Sequence, residues 1–381
     1  MNILIFANAI HRNTLTGGDK VFVEYAKRWI RWGHVVTIVT NEAGRQYCIS
    51  NGLAKKYIIL WHASWTDRYG VYSAMLTKTI SSFLRGLLFY PKTPDIIFAS
   101  SFFLPDITAA FIMKLRYKKA RLVTASYLFT KNKWGSDYSG GKIKGLLFYI
   151  NEVLASHLMR RYGGITLTAS PYDRDQLIRT KHSDERKIMA VRGGVDTKFF
   201  SSVLEQPIRY DAVFVGRFHP QKCLDELIAI WGMVIARNPR RILALVGGGP
   251  LNHKLRTLVL RKNMENNVFF LGIHDGIEKA EILKSSRLFL SASRYDSGNI
   301  ALDEALSCGI PGIVYDLPAL DYPMGVVKIP TGNQPLFADS IETLLSNEEK
   351  RIQLGEDALV FSRTLDWNKK ARDVLSFIRH A

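Results

Sequence analysis

Cysteine is scarce in this chain: three residues in 381, Cys48, Cys223 and Cys308, far apart and odd in number. That excludes a disulfide framework and a thiolate metal cluster, and it favours a reducing compartment, the cytoplasm. Long hydrophobic runs are missing too. The greasiest stretch, Phe83 to Tyr90, is broken by Arg85 and falls far short of the roughly 20 residues a spanning helix needs. There is no low-complexity tract, and 47% hydrophobic with 23% charged residues is a globular composition. The first residues, Met1–Ala7, lack a basic leader and a small-residue cleavage site, so they read as a buried first strand.

Acidic residues are scarce on one side only. Residues 1–198 hold 30 Lys+Arg against 13 Asp+Glu, a net +17, whereas residues 199–381 hold 22 against 21, a net +1. A surplus kept for solubility would be spread evenly; a one-sided field implies that the first half faces something anionic. The basic residues form no recognisable groove-reading motif, so nucleic acid is not an expected partner.

Strand-like and helix-like segments alternate along the chain. Asn2–Asn8, Val35–Thr40, Tyr57–Leu60, Ile96–Ser100, Arg121–Ala125 and Gly164–Ala169 read as strands, with Thr16–Asp19 a turn before the amphipathic helix Val21–Trp32. The rhythm restarts with strand Asp211–Val215 and helix Leu224–Arg237, then strand Ile242–Val246 and helix Leu251–Lys262. It continues through Val268–Leu271, Ile277–Ser285, Leu288–Ala292, Ile300–Ser307 and Gly312–Tyr315. Strands separated by helices predict an α/β chain with two doubly wound parallel sheets and a ligand site in the cleft they face. The expected division is 1–198, 199–365 and a terminal helix, 366–381.

Four stretches carry chemistry. Ser293 to Pro311 places Asp296 and Glu304 on either side of a Ser297-Gly298-Asn299 turn that opens a helix at Ile300. A helix start after a strand presents unpaired N–H groups to an anion. Carboxylates around that anion suit hydroxyls, so the ligand expected is a phosphate joined to a sugar; the plainer reading is that Asp296 only caps the helix. Gly216-Arg217-Phe218-His219-Pro220-Gln221-Lys222 also follows a strand. Arg217 can fork two phosphate oxygens and Lys222 supplies a mobile charge, unless both belong to a solvated loop. Gly247-Gly248-Gly249 lets backbone approach a ligand closely. Asp173-Arg174-Asp175 has the spacing of a metal-diphosphate motif, but it follows Ser170-Pro171 and reads as a helix N-terminus.

Asp296 to Glu304, Gly216-Arg217 with Lys222, and the glycine pair Gly17-Gly18 resemble the pattern of retaining GT-B glycosyltransferases of family four. Gly33-His34-Val35 and Gly193-Gly194-Val195-Asp196 match further, and the resemblance covers essentially the whole chain. It implies a GT-B fold with the last helix packing back on the first domain. It implies a hexosyltransferase that takes a nucleotide-diphosphate sugar, of UDP or GDP type, as substrate and needs neither cofactor nor metal. Arg217 and Lys222 would stabilise the departing diphosphate, Asp296 would hold the transferred sugar, and Glu304 would hold the ribose or steady the donor. Gly17, Gly18, Gly216, Gly248, Ser297, Gly298, Asn299 and Ile300 would line the donor site, with the backbone at Ile273 and His274 reading the nucleobase.

The chain departs from the family at Asp296 (Glu in relatives), Cys223 (Gly), Gly193 (Asn), Ser126 (often His) and Ser100 or Ser101 (often His). Three basic-aromatic stretches, Lys78–Lys92, Lys114–Arg121 and Lys131–Tyr149 with Trp134, suit an anionic bilayer surface. The expected acceptor is therefore lipid-linked or a cell-envelope glycan, with the enzyme peripheral on the inner membrane face. The rival expectations are a nucleotide-sugar epimerase and a catalytically impaired sugar-nucleotide-binding subunit.

Overall fold

The structure, a computed structural model, describes residues 1–10, 17–62, 71–127 and 142–381. Thr16 of the expected turn, and the part of the third basic-aromatic stretch from Lys131 to Gly141 with Trp134, lie outside the described residues. The chain divides into two compact units, Met1–Gly193 with Trp367–Ala381, and Gly194–Asp366.

The first unit contains β1 (Asn2–Ala7), α1 (Gly17–Arg31), β2 (Val35–Asn41), α2 (Glu42–Ser50), β3 (Ile58–His62), α3 (Val71–Leu88) and β4 (Ile96–Ala99). It continues with α4 (Leu104–Arg116), β5 (Arg121–Ser126), α5 (Lys142–Arg161), β6 (Ile165–Thr168), α6 (Pro171–Lys181) and β7 (Ile188–Ala190). The strands form one parallel sheet in the order β3-β2-β1-β4-β5-β6-β7. Because helices cover both faces, the strands are mostly apolar on both sides and alternate residues feed two different cores. Ile3, Ile5 and Ala7 pack with α1, while Leu4 and Phe6 pack with α4 and α5. The expected turn at Gly17–Asp19 is corrected: these residues are the first turn of α1, where Asp19 suits the positive end of the helix dipole.

The second unit contains α7 (Thr197–Ser202), β8 (Tyr210–Val215), α8 (Leu224–Arg237), β9 (Leu243–Val246), α9 (Asn252–Arg261), β10 (Val268–Gly272) and α10 (Gly276–Lys284). Then follow β11 (Ser286–Ser291), α11 (Ile300–Ser307), β12 (Gly312–Tyr315), β13 (Val326–Ile329), α12 (Gln334–Ser346) and α13 (Glu348–Ser362). Its parallel sheet runs β10-β9-β8-β11-β12-β13. The chain leaves β8 toward one edge and β11 toward the other, so the strand order reverses between these two neighbours. In doubly wound sheets that reversal opens a crevice at the carboxyl ends of the two strands, where ligands bind.

The last helix, α14 (Trp367–His380), belongs to the first unit. Trp367, Ala371, Val374 and Ile378 form a buried stripe at helical spacing within the same core as α1. The Trp29 indole N–H donates to the Ala371 carbonyl at 3.2 Å, and Tyr25 meets Trp367 edge to face with ring centres 5.9 Å apart. Arg121 closes the helix by donating to the carbonyls of Arg379 (2.8 Å) and Ala381 (2.6 Å).

Candidate active site

The loops after β8 and β11 meet at the reversal point of the second sheet. The first runs from Gly216 to Cys223 and holds a short 3-10 turn, Pro220–Lys222, started by His219. The second runs from Ala292 to Asn299, where Asn299 caps α11 by accepting the Leu302 N–H at 3.2 Å. The two loops are tied together twice. Lys222 Nζ donates to Asp296 Oδ2 at 2.6 Å, and Gln221 Nε2 donates to the Tyr295 carbonyl at 3.0 Å. An ammonium and a carboxylate 74 residues apart in sequence are thus placed at the mouth of the crevice. Lys222 is partly exposed and Asp296 buried, so the ammonium is the member that meets solvent or ligand.

Arg217 is half-buried on the same loop and has no side-chain hydrogen bond or ion pair to any described residue. A guanidinium held at a strand end without a partner keeps its full donor fork for an anion. Its loop is fixed by backbone bonds rather than by its side chain: Gly216 N–H to Val246 O (3.0 Å), Phe218 N–H to Gly248 O (2.8 Å) and Leu251 N–H to Phe218 O (3.1 Å). These bonds press the glycine run against the Arg217 loop. At Gly247 (φ +140°) a Cβ would stand 1.9 Å from the Gly216 carbonyl oxygen, and at Gly249 (φ +151°) 2.7 Å from that of Phe218. No side chain fits either position, so the run is built for close backbone approach. Gly248 lies beside Ile273, whose side chain is otherwise exposed.

Cys223 explains one departure from the family pattern. Its φ of 47° is left-handed, the region glycine occupies without penalty and where a Cβ costs about 1–2 kcal/mol. Cys223→Gly should therefore stabilise the protein by about 1 kcal/mol and raise the thermal midpoint by about 2–4 °C. A calorimetric scan showing a lower midpoint would contradict stored strain at this turn.

Glu304 is held from α10. It lies one turn inside α11, 3% exposed, and pairs with Lys279 of α10 at 2.9 Å. Lys279 also reaches Asp275 at 2.7 Å and stands over the Phe200 ring, 5.7 Å from its centre. Burial pulls the Lys279 pKa down, but the Glu304 and Asp275 carboxylates outweigh it and hold the ammonium above its ordinary value. His274 uses both ring nitrogens on acceptors, Glu278 Oε2 at 2.8 Å and the Leu271 carbonyl at 2.9 Å. Two acceptors favour the doubly protonated ring, and Glu278, then the Leu271 carbonyl, raise its pKa above the ordinary value. The side chain is occupied; what this turn offers a ligand is backbone.

In the first unit, Gly17 and Gly18 open α1. At the corresponding reversal between β1 and β4, Asp106 accepts from the backbone N–H groups of Asn8 (2.5 Å) and Ala9 (3.0 Å), and from the hydroxyls of Ser100 (3.1 Å) and Ser101 (2.6 Å). Burial pushes its pKa up to about 7 despite these donors. Beside it, the buried Asn8 amide and, at the end of β5, the buried Ser126 hydroxyl have no hydrogen-bond partner among the described residues. Ser100 and Ser101 are thus committed to Asp106, whereas Ser126 is not. Ser170 is the N-cap of α6: its Oγ accepts the Asp173 N–H at 3.1 Å and donates to the Asp173 carboxylate at 2.8 Å, while Asp175 meets Arg174 at 3.4 Å.

Sequence reasoning singled out Arg217, Lys222, Asp296 and Glu304 and did not single out Gln221, Lys279, Asn8 or Asp106. A lysine in an ordinary amphipathic helix and an aspartate in a first turn carry no local mark; Glu304 and the Asn8 N–H, which help fix them, lie in other elements.

Two Rossmann-like parallel-sheet units, one with cations and glycines gathered at its strand reversal, define an α/β protein of GT-B architecture. Residues 196–360, almost the whole second unit, match the family model described as Glycosyl transferases group 1. Over 180 residues it is 27% identical to the D-inositol 3-phosphate glycosyltransferase of Corynebacterium efficiens, covering 44% of this chain and 42% of that protein. Over 150 residues it is 29% identical to the N-acetyl-alpha-D-glucosaminyl L-malate synthase of Bacillus anthracis, covering 38% and 39%. The matched stretches span about half or less of the length of these curated relatives. Among solved structures, Anabaena HepE in complex with UDP and glucose superposes at a TM-score of 0.74 with 13% identity, covering all of both chains. The pneumococcal O-GlcNAc transferase GtfA in complex with UDP and GlcNAc gives 0.76 at 10% identity, covering 100% and 98%. These likenesses show the fold.

Proposed function

We propose that the protein transfers a hexose from a nucleoside-diphosphate sugar, of UDP or GDP type, to an acceptor hydroxyl with retention of configuration. The observation that carries the reading is the Lys222–Asp296 pair at the strand reversal, beside an unpartnered Arg217. The difficult event is departure of the diphosphate, whose charge grows as the bond to the sugar breaks. Arg217 and Lys222 neutralise that charge together with the first-turn N–H groups of α11, so the reaction needs no metal. Asp296 orients the ammonium and holds a hydroxyl of the transferred sugar. Glu304, fixed by Lys279, steadies the donor's ribose from the second turn of α11. The leaving phosphate oxygen takes the acceptor's proton from the same face, so no enzymatic base is required.

The acceptor is anionic and membrane-borne, a lipid-linked or cell-envelope glycan, met on the cytoplasmic face by residues 1–198, which carry the +17 excess. Relatives named for D-inositol 3-phosphate, L-malate and poly(glycerol-phosphate) support an anionic acceptor. No helix among the described residues is long and apolar enough to cross a membrane.

Thermal-shift screening against UDP-, GDP- and ADP-sugars tests the donor. One nucleotide class at 100 times its Kd should stabilise the fold by about 2.7 kcal/mol. No shift with any of them would refute the reading; a shift without hydrolysis or transfer would mark a binding subunit instead.

A further inference from the structure

Helix α3 is amphipathic the wrong way round. Its side toward the protein carries Ala74, Lys78, Ser82 and Gly86, all buried at four-residue spacing. Lys78 donates to the Ile10 carbonyl at 3.0 Å, Ser82 bonds His62 at 3.2 Å, and Gly86 lets Ile112 of α4 approach to 3.0 Å of where a Cβ would stand. Its outward side carries Leu76, Ile80, Phe83, Leu84, Leu87 and Leu88, all exposed, Leu76 by 64% and Leu88 by 82%. Soluble surfaces scatter such residues singly; six on one stripe of one helix mark a contact surface.

The apolar surface extends beyond α3. Helices α3, α4 and α5 lie on the same face of the sheet, because right-handed crossovers in one direction put their helices on one side. Leu115 of α4 and Leu147, Ile150 and Leu154 of α5 are exposed on this layer. The end of α3 is rigid: Arg116 stacks on Tyr90 at 3.9 Å and donates to the carbonyls of Gly86, Leu87 and Phe89. Exposed charge around the stripe is mostly positive. Arg85, Lys92, Lys118 and Lys119 are exposed, whereas the acids of this region among the described residues are the exposed Asp95, whose carboxylate accepts the Asn2 N–H at 2.7 Å, and the buried Asp106 and Glu152.

We propose that the outward face of α3, continued by Leu115 and the exposed face of α5, inserts into the headgroup boundary of an anionic bilayer, with the flanking cations on lipid phosphates. Apolar side chains bordered by exposed lysine and arginine match that interface in both polarity and charge. The inference rests on the membrane-borne acceptor proposed above and names the surface that reaches it.

The test is sedimentation with phosphatidylcholine vesicles, with and without phosphatidylglycerol, alongside the UDP-induced thermal shift. Wild type should sediment with the anionic vesicles, and Leu84→Glu/Leu88→Glu should weaken that binding about tenfold or more with the UDP shift unchanged. Leu84→Ala/Leu88→Ala, a milder change, should give an intermediate loss. Wild-type binding that neither pair alters would overturn this surface while leaving the membrane reading standing. Indifference of wild type to both vesicle types would overturn the membrane reading as well. A wild-type dimer made monomeric by the glutamates would assign the stripe to a second copy and overturn the proposal.

Discussion

Lys222→Ala will lower the turnover of sugar transfer by about a hundredfold while leaving the fold intact. One preorganised donor on a developing anion contributes roughly 3 kcal/mol to the transition state, and each 1.36 kcal/mol is tenfold in rate. The Lys222 side chain is 20% exposed, so its removal opens no core cavity. Asp296 loses its cation, but the Gln221–Tyr295 bond still ties the two loops. Arg217→Ala should cost a comparable factor through the same diphosphate, since that guanidinium has no partner among the described residues to lose. Steady-state kinetics with the donor found by thermal shift checks both. A kcat within a few-fold of wild type for either variant would remove that residue from the chemistry.

Glu304→Ala will destabilise the protein by about 3 kcal/mol, because it leaves the Lys279 ammonium buried beside one remaining carboxylate. That carboxylate, Asp275, is itself 77% exposed and offsets little of the loss. The thermal midpoint should fall by about 6–12 °C for a unit of this size. Lys279→Met/Glu304→Leu removes both charges and should regain most of the stability. If the double variant is stable yet inactive, Glu304 touches the donor; if it is stable and active, the pair only braces α10 against α11. A Glu304→Ala midpoint equal to wild type would contradict the buried pair.

What could be read from sequence depended on whether the signal was local. Helices α8 and α11 and strand β12 were delimited to the residue, because a periodic apolar run ends at a breaker: Asn238 before Pro239, and Gly309 before Pro311. Strands β7 and β13 were missed. They are three and four residues long and lie at sheet edges, where Val326, Val327 and Lys328 are only half-buried and show no strong pattern. The loop residues of the site were legible because glycine, arginine and lysine between a strand and a helix have few other uses. The Asp296 position was legible but its bond to Lys222 was not, and Lys279 was invisible. A tertiary juxtaposition leaves no trace in either segment. The left-handed Cys223 could be suspected only because relatives carry glycine there.

The claim on which the rest depends is that a pyrophosphate binds at the strand reversal of the second unit through Arg217 and Lys222. Isothermal titration of UDP and of GDP into wild type and into Arg217→Ala/Lys222→Ala tests it directly. One of the two nucleotides should bind wild type and lose about a hundredfold or more in affinity in the double variant, which still unfolds in one cooperative transition. Equal affinity in both proteins would place the nucleotide elsewhere and contradict the account.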